Sequence, residues 1–600
     1  DGTDIADAQA GYQTDSLGNQ TPVVQLTMTE EGTQKFADAT EAAAPNHDII
    51  YIIYDGEVVS SPAVNDPITD GKAVITGMAS FEEAQNLAST IRIGGLSLEL
   101  EELRSNVVGA QLGSEAIERS LLAGSIGMAI VMIFMIAVYW IPGLASALAL
   151  CLYVELTVLL LYGFDITLTL PGVAGIILSI GMAVDANVII FARIREEIAT
   201  GKTVKAAMKI GFQKALSAII DGNITTLIAA AVLGFMGSGT VRGFAQTLAL
   251  GIVVSMFTAL FVTRSLMNAF YALGIRDEKF YGRAKERKTI NFVSKKAVFF
   301  TVSIAVILVG FISMGVFQAR TGQALNYSLE FVGGTSTNVT FNEDMSIEEL
   351  DTQVVPLIEE ITGDGNVQTQ KVQGTTQVIF KTRTLSADER EEMNQMLADN
   401  FDVDAATTTA ESISSTISGE TRQEALIAVI VSAFFMLLYV WFRFKDVRFG
   451  ASAVTALIHD VLVVLAFYAV ARVSVGSTFI ACILTIVGYS INATIVIFDR
   501  IRENMRAEGT DNLPELVNRS ITQTLSRSIF TSLTTFIMVA VLYAVGVSSI
   551  REFALPLMIG IACGTYSSVC ITGALWLVLR KIGGKGKEQE TAKIAKKAKA

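Results

Sequence analysis

The sequence predicts a polytopic α-helical membrane protein with about eleven spans in two parallel, pseudo-symmetric halves, plus two small outward α+β domains. The first observation behind this is composition: 600 residues, 51% hydrophobic and only 17% charged, as expected of membrane spans carrying some soluble mass. The second is an internal repeat. GMAVDANVIIFARIRE (181–196) and GYSINATIVIFDRIRE (488–503) share eight of sixteen positions at an offset of 307 residues. The third is charge, because Lys and Arg concentrate in every second loop.

Residues 1–118 read as the first outward domain. TPVVQLTM (21–28) and DIIYIIYDGEVVSSP (48–62) alternate and are rich in Val, Ile and Tyr, with Asp55-Gly56 as a hairpin turn. FEEAQNLASTIRIGG (81–95) has helical apolar spacing and ends at a glycine pair. The chain starts at Asp1 in the middle of soluble sequence, so a signal or membrane helix is expected to precede it.

A five-helix membrane half follows over 119–264, with apolar runs at 119–139, 143–162, 170–192, 215–236 and 243–264. Each is near the ~20 residues that a bilayer core demands. A basic linker (265–297) and a sixth run (298–317) lead to the second outward domain at 318–424. That domain has strands near 336–341 and 376–381 and helices near 346–360 and 386–398. Strand–helix alternation at this size suggests small split-βαβ, ferredoxin-like modules. The second five-helix half covers 425–579, with runs at 425–442, 450–470, 477–498, 528–546 and 553–579, and a basic tail covers 580–600.

Loops near 193–214, 264–297, 443–448 and 499–527 are basic, and the intervening short loops carry one basic residue each, such as Arg242, Arg472 and Arg551. By the positive-inside rule the two soluble domains face outward and the tail faces the cytoplasm. Gly143 and Gly450 fall at the offset of 307, whereas the LTT of 533–535 and the ITT of 224–226 indicate a second register near 309. Two such halves in the same orientation imply a pseudo-twofold axis along the membrane normal.

The net charge of −13 lies outside: residues 1–118 hold 20 acidic and 4 basic side chains, and 318–424 hold 19 and 6. Solvated acidic domains argue against nucleic-acid binding. The four cysteines lie in spans and show no disulfide or metal pattern, and the two histidines, His47 and His459, are not expected to form a metal cluster either. There is no nucleotide-binding glycine loop and no nucleophile constellation, so an enzyme reading has no support.

Longer motifs carry a family resemblance. GMAVDANVIIFARIREE, DGNITTL (221–227) and PVVQLTMTEEGTQKFADAT (22–40) with DGEVVSSPAV (55–64) resemble SecD. LEFVGGT (329–335), ALIHD (456–460), IVGYSINATIVIFDRIREN (486–504) and SRSIFTSLTT (526–535) resemble SecF. Essentially the whole chain therefore resembles the SecD/SecF protein-export family, with both halves fused in order. The resemblance implies an RND-like fold (the resistance-nodulation-division superfamily) in a bacterial cytoplasmic membrane. It also implies partnership with a SecY-type translocon channel and an unfolded preprotein, pulled outward as an outer domain rocks on a proton or sodium gradient. No cofactor is implied beyond H⁺ or Na⁺ as coupling ion. The family normally has twelve spans, so the first is expected to be missing, together with part of the first outward domain including its mobile head.

Asp185 leads the candidate coupling residues, and the resemblance assigns cation coupling to the matching aspartate. It lies 14 residues past Pro171, about 21 Å of helix. At that depth an Asp costs roughly 2.5–3.5 kcal/mol on insertion scales. Such a carboxyl can exchange a proton or ligate Na⁺ by oxygen. Asn492 is its repeat equivalent and Thr494 is that of Asn187, so these four are expected near the centre. Arg527 matches a family arginine and is expected either to pair with a carboxylate or to sit at the cytoplasmic edge. Where SecF proteins usually carry a second aspartate, this chain has Ala493, so a two-carboxylate relay does not follow. Asp221, Asn223, His459 and Asp460 form a possible secondary polar set. Glu155 is a lone carboxylate in the second run, Gly333-Gly334 suit a turn, and Glu330 stands where the family usually has Asp. Gly175, Ser179 and Ala183, spaced by four, are expected to pack the two halves together. An exporter of small molecules or lipids from the same superfamily and a passive translocon scaffold remain alternatives.

Overall fold

The computed structural model describes residues 2–581 except 15–19, 55, 96–103, 108–109, 238, 285–287, 364–366, 373–374, 402, 404–407, 445 and 510–511. The predicted turn residue Asp55 and the tail from 582 lie outside the described residues. Two compact units result, Asp1–Glu102 and Leu103–Ala600.

In the first unit β1 (Ile5–Thr14), β2 (Gln20–Met28) and β5 (Lys72–Ile75) form an antiparallel sheet in the order β1-β2-β5. β3 (Ile52–Tyr54) and β4 (Glu57–Ser60) make a separate hairpin. Two helices, α1 (Glu30–Ala43) and α2 (Phe81–Gly94), start where the sequence supplies caps: Thr29 accepts from the Gly32 amide and Ser80 from the Glu83 amide. Val24, Leu26 and Ile75 of the sheet meet Ala84, Leu87, Ala88 and Ile91 of α2 in one core. Alternation along β2 puts one face of the strand inward, which is the period-two signal read from 21–28.

The second unit holds the membrane bundle and the second α+β domain. That domain has a five-stranded antiparallel sheet in the order β6-β11-β8-β10-β9, where β6 is Arg104–Val107, β8 Gly334–Thr340, β9 Gln368–Lys371, β10 Gln377–Thr382 and β11 Thr409–Ile413. Helical segments over 347–362 and 387–401 connect β8 to β9 and β10 to β11. Taken without β6, this is the split-βαβ arrangement expected from the sequence. β6 was expected within a first domain of 1–118, but it pairs instead with β11, Ala410 opposite Val107. Gly333 and Gly334 adopt φ of 82° and 116° at the entry to β8, and a Cβ on Gly334 would lie 2.4 Å from the Thr382 carbonyl oxygen. Only glycine meets both demands.

Among the described residues, eleven helices are long and apolar enough to cross a membrane: spans 1 to 11 are Ala116–Tyr139, Ile141–Gly163, Leu170–Ala199, Val204–Met236, Val241–Ala272, Val293–Arg320, Thr416–Arg443, Val447–Ala471, Ser477–Ala507, Leu513–Val545 and Ile550–Lys581. Spans 3 and 9, which carry the repeat motif, are the most buried, at 89% and 78% of their apolar windows, against 11% for span 6. They form the centre. The halves meet in a symmetric crossing. A Cβ built on Gly181 of span 3 would lie 3.0 Å from Thr535 Cα of span 10, and one on Gly488 of span 9 would lie 3.0 Å from Thr226 Cα of span 4. The two glycines stand at the offset of 307 and the two threonines at 309.

The stripe assigned to this interface does something else. Ser179 accepts or donates a 2.6 Å bond with the Tyr153 hydroxyl of span 2, and the Cβ positions of Gly175 and Gly251 abut Thr247 and Ser179. Gly175 and Ser179 thus pack span 3 onto spans 2 and 5 of its own half. Glu155 is exposed on the outer surface of span 2.

Candidate functional site

Span 3 places Asp185 fifteen residues from its start at Leu170, about 22 Å along the helix. The residue is 5% exposed. Across the interface, the Thr534 hydroxyl of span 10 donates to its Oδ1 at 3.3 Å, and the Tyr489 hydroxyl of span 9 lies beside the same carboxyl. Tyr489 also donates to the Thr531 carbonyl at 3.1 Å and to Thr535 Oγ1 at 3.2 Å. Among the described residues, no Lys or Arg makes an ion pair with Asp185. Its surroundings are hydroxyls from the opposite half. A carboxyl so placed can exchange a proton or ligate a cation through its oxygens.

One turn further along, a cavity of about 20 Å³ is walled by Ile189, Tyr489, Asn492, Ala493, Val496, Arg527, Ser528, Thr531 and Ser532. Asn492 and Arg527 thus share a cavity that Asp185 does not line, and Tyr489 touches both the carboxyl and the cavity. Asn492 packs against span 4, where a Cβ on Gly222 would lie 2.2 Å from its Oδ1. Arg527 is 6% exposed and its Nε has no hydrogen-bond partner. Among the described residues Arg527 forms no ion pair in contact, and Glu196 and Asp499 attract it from further away.

Asn187 and Thr494 do not join this group. Asn187 donates to Ser146 of span 2 at 3.1 Å, and Thr494 bonds Ser568 of the span 11 helix at 3.0 Å. Two residues along a helix turn the side chain by about 200°, so positions 187 and 494 face their own halves when 185 and 492 face the interface.

The secondary set divides in two. Asp221 of span 4 accepts from the Tyr439 hydroxyl at 2.7 Å and from Arg443, both on span 7, and Arg443 reaches on to Asp499 of span 9 at 3.0 Å. Asn223 bonds only back to the Ile219 carbonyl of its own helix, at 2.8 Å. His459 and Asp460 form a separate knot: Nδ1 of His459 is 2.9 Å from Asp460 Oδ1, Ser490 and Ser567 donate to Oδ2 at 2.6 and 2.8 Å, and the Cys563 thiol donates to Oδ1 at 3.3 Å. His459, Asp460 and Cys563 bring their ligand atoms within 4.8 Å of one another. Sequence spacing gave no sign of this grouping, since Cys563 lies on another span. Asp460, fully buried and already satisfied by these donors, ties spans 8, 9 and 11 together.

Below the cavity, spans 3 and 9 are locked by reciprocal ion pairs. Arg193 contacts Glu196 at 2.9 Å and Glu503 at 3.1 Å, and Arg500 contacts Glu503 at 3.0 Å and Glu196 at 3.3 Å. Both arginines and both glutamates are repeat equivalents, from the RIRE common to the two copies. At the opposite end, span 9 is joined to the second α+β domain. β7 (Asn326–Tyr327) pairs in parallel with β12 (Ser474–Val475), and Glu330 accepts the Ser477 amide at 2.7 Å at the start of the span. Tyr489, Thr534, Arg443 and Asp499 were not singled out from sequence. Tyr489 stands three before Asn492 and so on the same helical face, a signal that was available.

Known proteins share both the sequence and the architecture. Residues 93–272 and 392–582 match the C-terminal model of the protein export membrane proteins SecD/SecF, and residues 1–98 match the SecDF P1 head subdomain. The latter match corrects the expectation that the head is missing or much reduced. The protein translocase subunit SecDF of Brucella abortus is 33% identical over 581 residues, covering 96% of this chain and 74% of that protein. The crystal structure of SecDF, a translocon-associated membrane protein from Thermus thermophilus, superposes with a TM-score of 0.76 at 36% identity, covering 96% of this chain and 78% of that one. The hedgehog release protein Disp of a water bear, at 14% identity and a TM-score of 0.51 over 86% of this chain, shares the fold alone. With both membrane halves and the soluble head matched and nearly the whole chain covered by fused relatives, the chain belongs to the SecD/SecF protein export family, in the fused SecDF form.

Proposed function

We propose that this SecDF-type translocase subunit uses a proton or sodium gradient at Asp185 to drive cycling of its soluble domains, and so helps a SecY-type channel move an unfolded preprotein outward. The observation that carries the reading is the setting of Asp185: buried between the halves, with only hydroxyl partners from the opposite half among the described residues. Loading or unloading a cation there changes the charge at the interface, and the Thr534 and Tyr489 contacts across it must respond.

The connection of span 9 supports a mechanical route outward. Its first turn is bonded to the second α+β domain through β7, β12 and Glu330. Tyr489 lies twelve residues along the same helix from Ser477, about 18 Å. A shift of span 9 against span 3 is therefore passed to the domain as a rigid-body movement, since a helix transmits axial displacement with little loss. The acidic soluble domains, taken as outward-facing by the positive-inside rule, are where a preprotein emerges.

The test is preprotein export in cells depleted of their own copy and supplied with the wild-type chain or Asp185→Asn, across external pH and Na⁺. The expected result is loss of rescue by the variant at equal expression, with the wild type depending on one of the two ions. Full rescue by Asp185→Asn contradicts coupling and leaves a scaffold.

A further inference from the structure

We propose that the cavity beside Arg527 is a binding site for a small monovalent anion, chloride, held within the bundle between the two halves. The site follows from charge balance. Arg527 is a permanent cation, 6% exposed, and its Nε has no partner. The carboxylates of the same layer are already engaged: Glu196 by Arg193 and Arg500, Glu503 by the same two arginines, and Asp499 by Arg443. The residues walling the cavity include no acid. Glu196 and Asp499 attract Arg527 from beyond ion-pair distance but are paired elsewhere, so among the described residues the guanidinium has no counter-charge in contact, and a mobile anion is the simplest way to supply one.

The cavity has the size and the donors for it. Its volume of about 20 Å³ accommodates a single particle of water or halide dimensions. Besides the guanidinium it presents Ser528, 2% exposed, whose Oγ also has no hydrogen-bond partner. Beside apolar Ile189, Ala493 and Val496 the wall also carries Tyr489, Thr531, Ser532 and Asn492, whose Oδ1 has no partner among the described residues, so a small anion there meets several O–H and N–H donors. They do not suit a cation, which Arg527 would repel. The room exists because residue 493 ends at a methyl group. A carboxylate side chain at that position would bring a fixed negative charge to the same wall, so the anion takes the place of a charge that this sequence does not encode. The assignment stands independently of whether Asp185 couples ion movement to export.

The experiment is equilibrium binding of ³⁶Cl⁻ to the purified full-length chain in nanodiscs, with gluconate as the balancing anion and bromide as competitor. The wild type is expected to bind about one chloride per chain, saturably and displaceably by bromide. Ala493→Asp, which places an internal anion in the cavity, and Arg527→Gln, which removes the cation, are each expected to weaken binding at least tenfold. Thermal melting of both variants in gluconate establishes that they are folded. Absence of saturable binding by the wild type overturns the proposal and leaves a neutral water as the occupant. Chloride binding that survives either substitution in a folded variant overturns it equally, since the halide then sits elsewhere.

Discussion

At the scale of residues, the proposed coupling rests on what the two copies do not share. The repeat gives Asp185 in one and Asn492 in the other, and Arg527 answers to Ala218 at the offset of 309. One acid and one base thus survive on opposite halves of a nearly symmetric interface, each without an ion-pair partner among the described residues. Tyr489 sits between them. Its hydroxyl reaches Asp185 and the backbone of span 10, so Tyr489→Phe removes a hydrogen bond to a charged or exchangeable group. Such bonds are worth about 1.5–3 kcal/mol, and the expected effect is roughly a tenfold or greater fall in coupled export with the fold unchanged, read as preprotein export rate at equal expression. Unchanged export would show that Tyr489 only fills space. In the second α+β domain, Glu389 accepts from the Arg383 guanidinium and from the Ser386 amide, and its carboxyl is held down at about 2. A depressed acid contributes stability above its unfolded value, near 4.5, and loses it as pH falls toward 2. Hydrogen exchange of the helix Ala387–Phe401 in the full-length chain is expected to quicken across that window, and Glu389→Gln to flatten the dependence. Asp185 was legible in the sequence because an acid inside an apolar run is rare and conspicuous. Tyr489 was not, because a tyrosine near a span centre draws no attention until its neighbours from another helix are known.

At the scale of elements, the crossing of helices decides which small residues matter. Gly181 on Thr535 and Gly488 on Thr226 let four helix backbones approach in two equivalent pairs. Gly181→Val and Gly488→Val each force a side chain against backbone and are expected to cost about 1–3 kcal/mol of stability by overpacking. Because the sites are pseudo-equivalent, similar losses in thermal melting are expected for both. A loss from one alone would contradict the symmetric crossing. The sequence contained these glycines inside the repeat, yet the stripe of Gly175, Ser179 and Ala183 looked like the more obvious interface. Spacing by four identifies a helical face but not the helix it meets, and that stripe serves spans 2 and 5. Helix existence, by contrast, was legible throughout, since eleven apolar runs became eleven spans. The short strands were not: β6 has four residues and pairs with β11, some three hundred residues away. Nothing local marks such a pairing.

At the scale of the molecule, one central helix joins the second α+β domain, the middle of the bundle and the ion pairs with span 3. Span 9 begins at the second α+β domain, carries Tyr489 and Asn492 at its middle, and ends in the ion pairs of Arg500 and Glu503 with span 3. The repeat predicted the two halves and their parallel relation, and the resemblance predicted the role. The joint between domain and bundle needed the structure, because β7 and β12 are two-residue strands. The account as a whole claims that a cation must load at Asp185 for the machine to run. The most direct test is ion movement in proteoliposomes containing the chain with its channel and a preprotein, followed with pH- and Na⁺-sensitive dyes for the wild type and Asp185→Asn. The account predicts flux of one ion with the wild type, rising when the preprotein is translocated, and none above background with the variant. Equal flux in the two would contradict it.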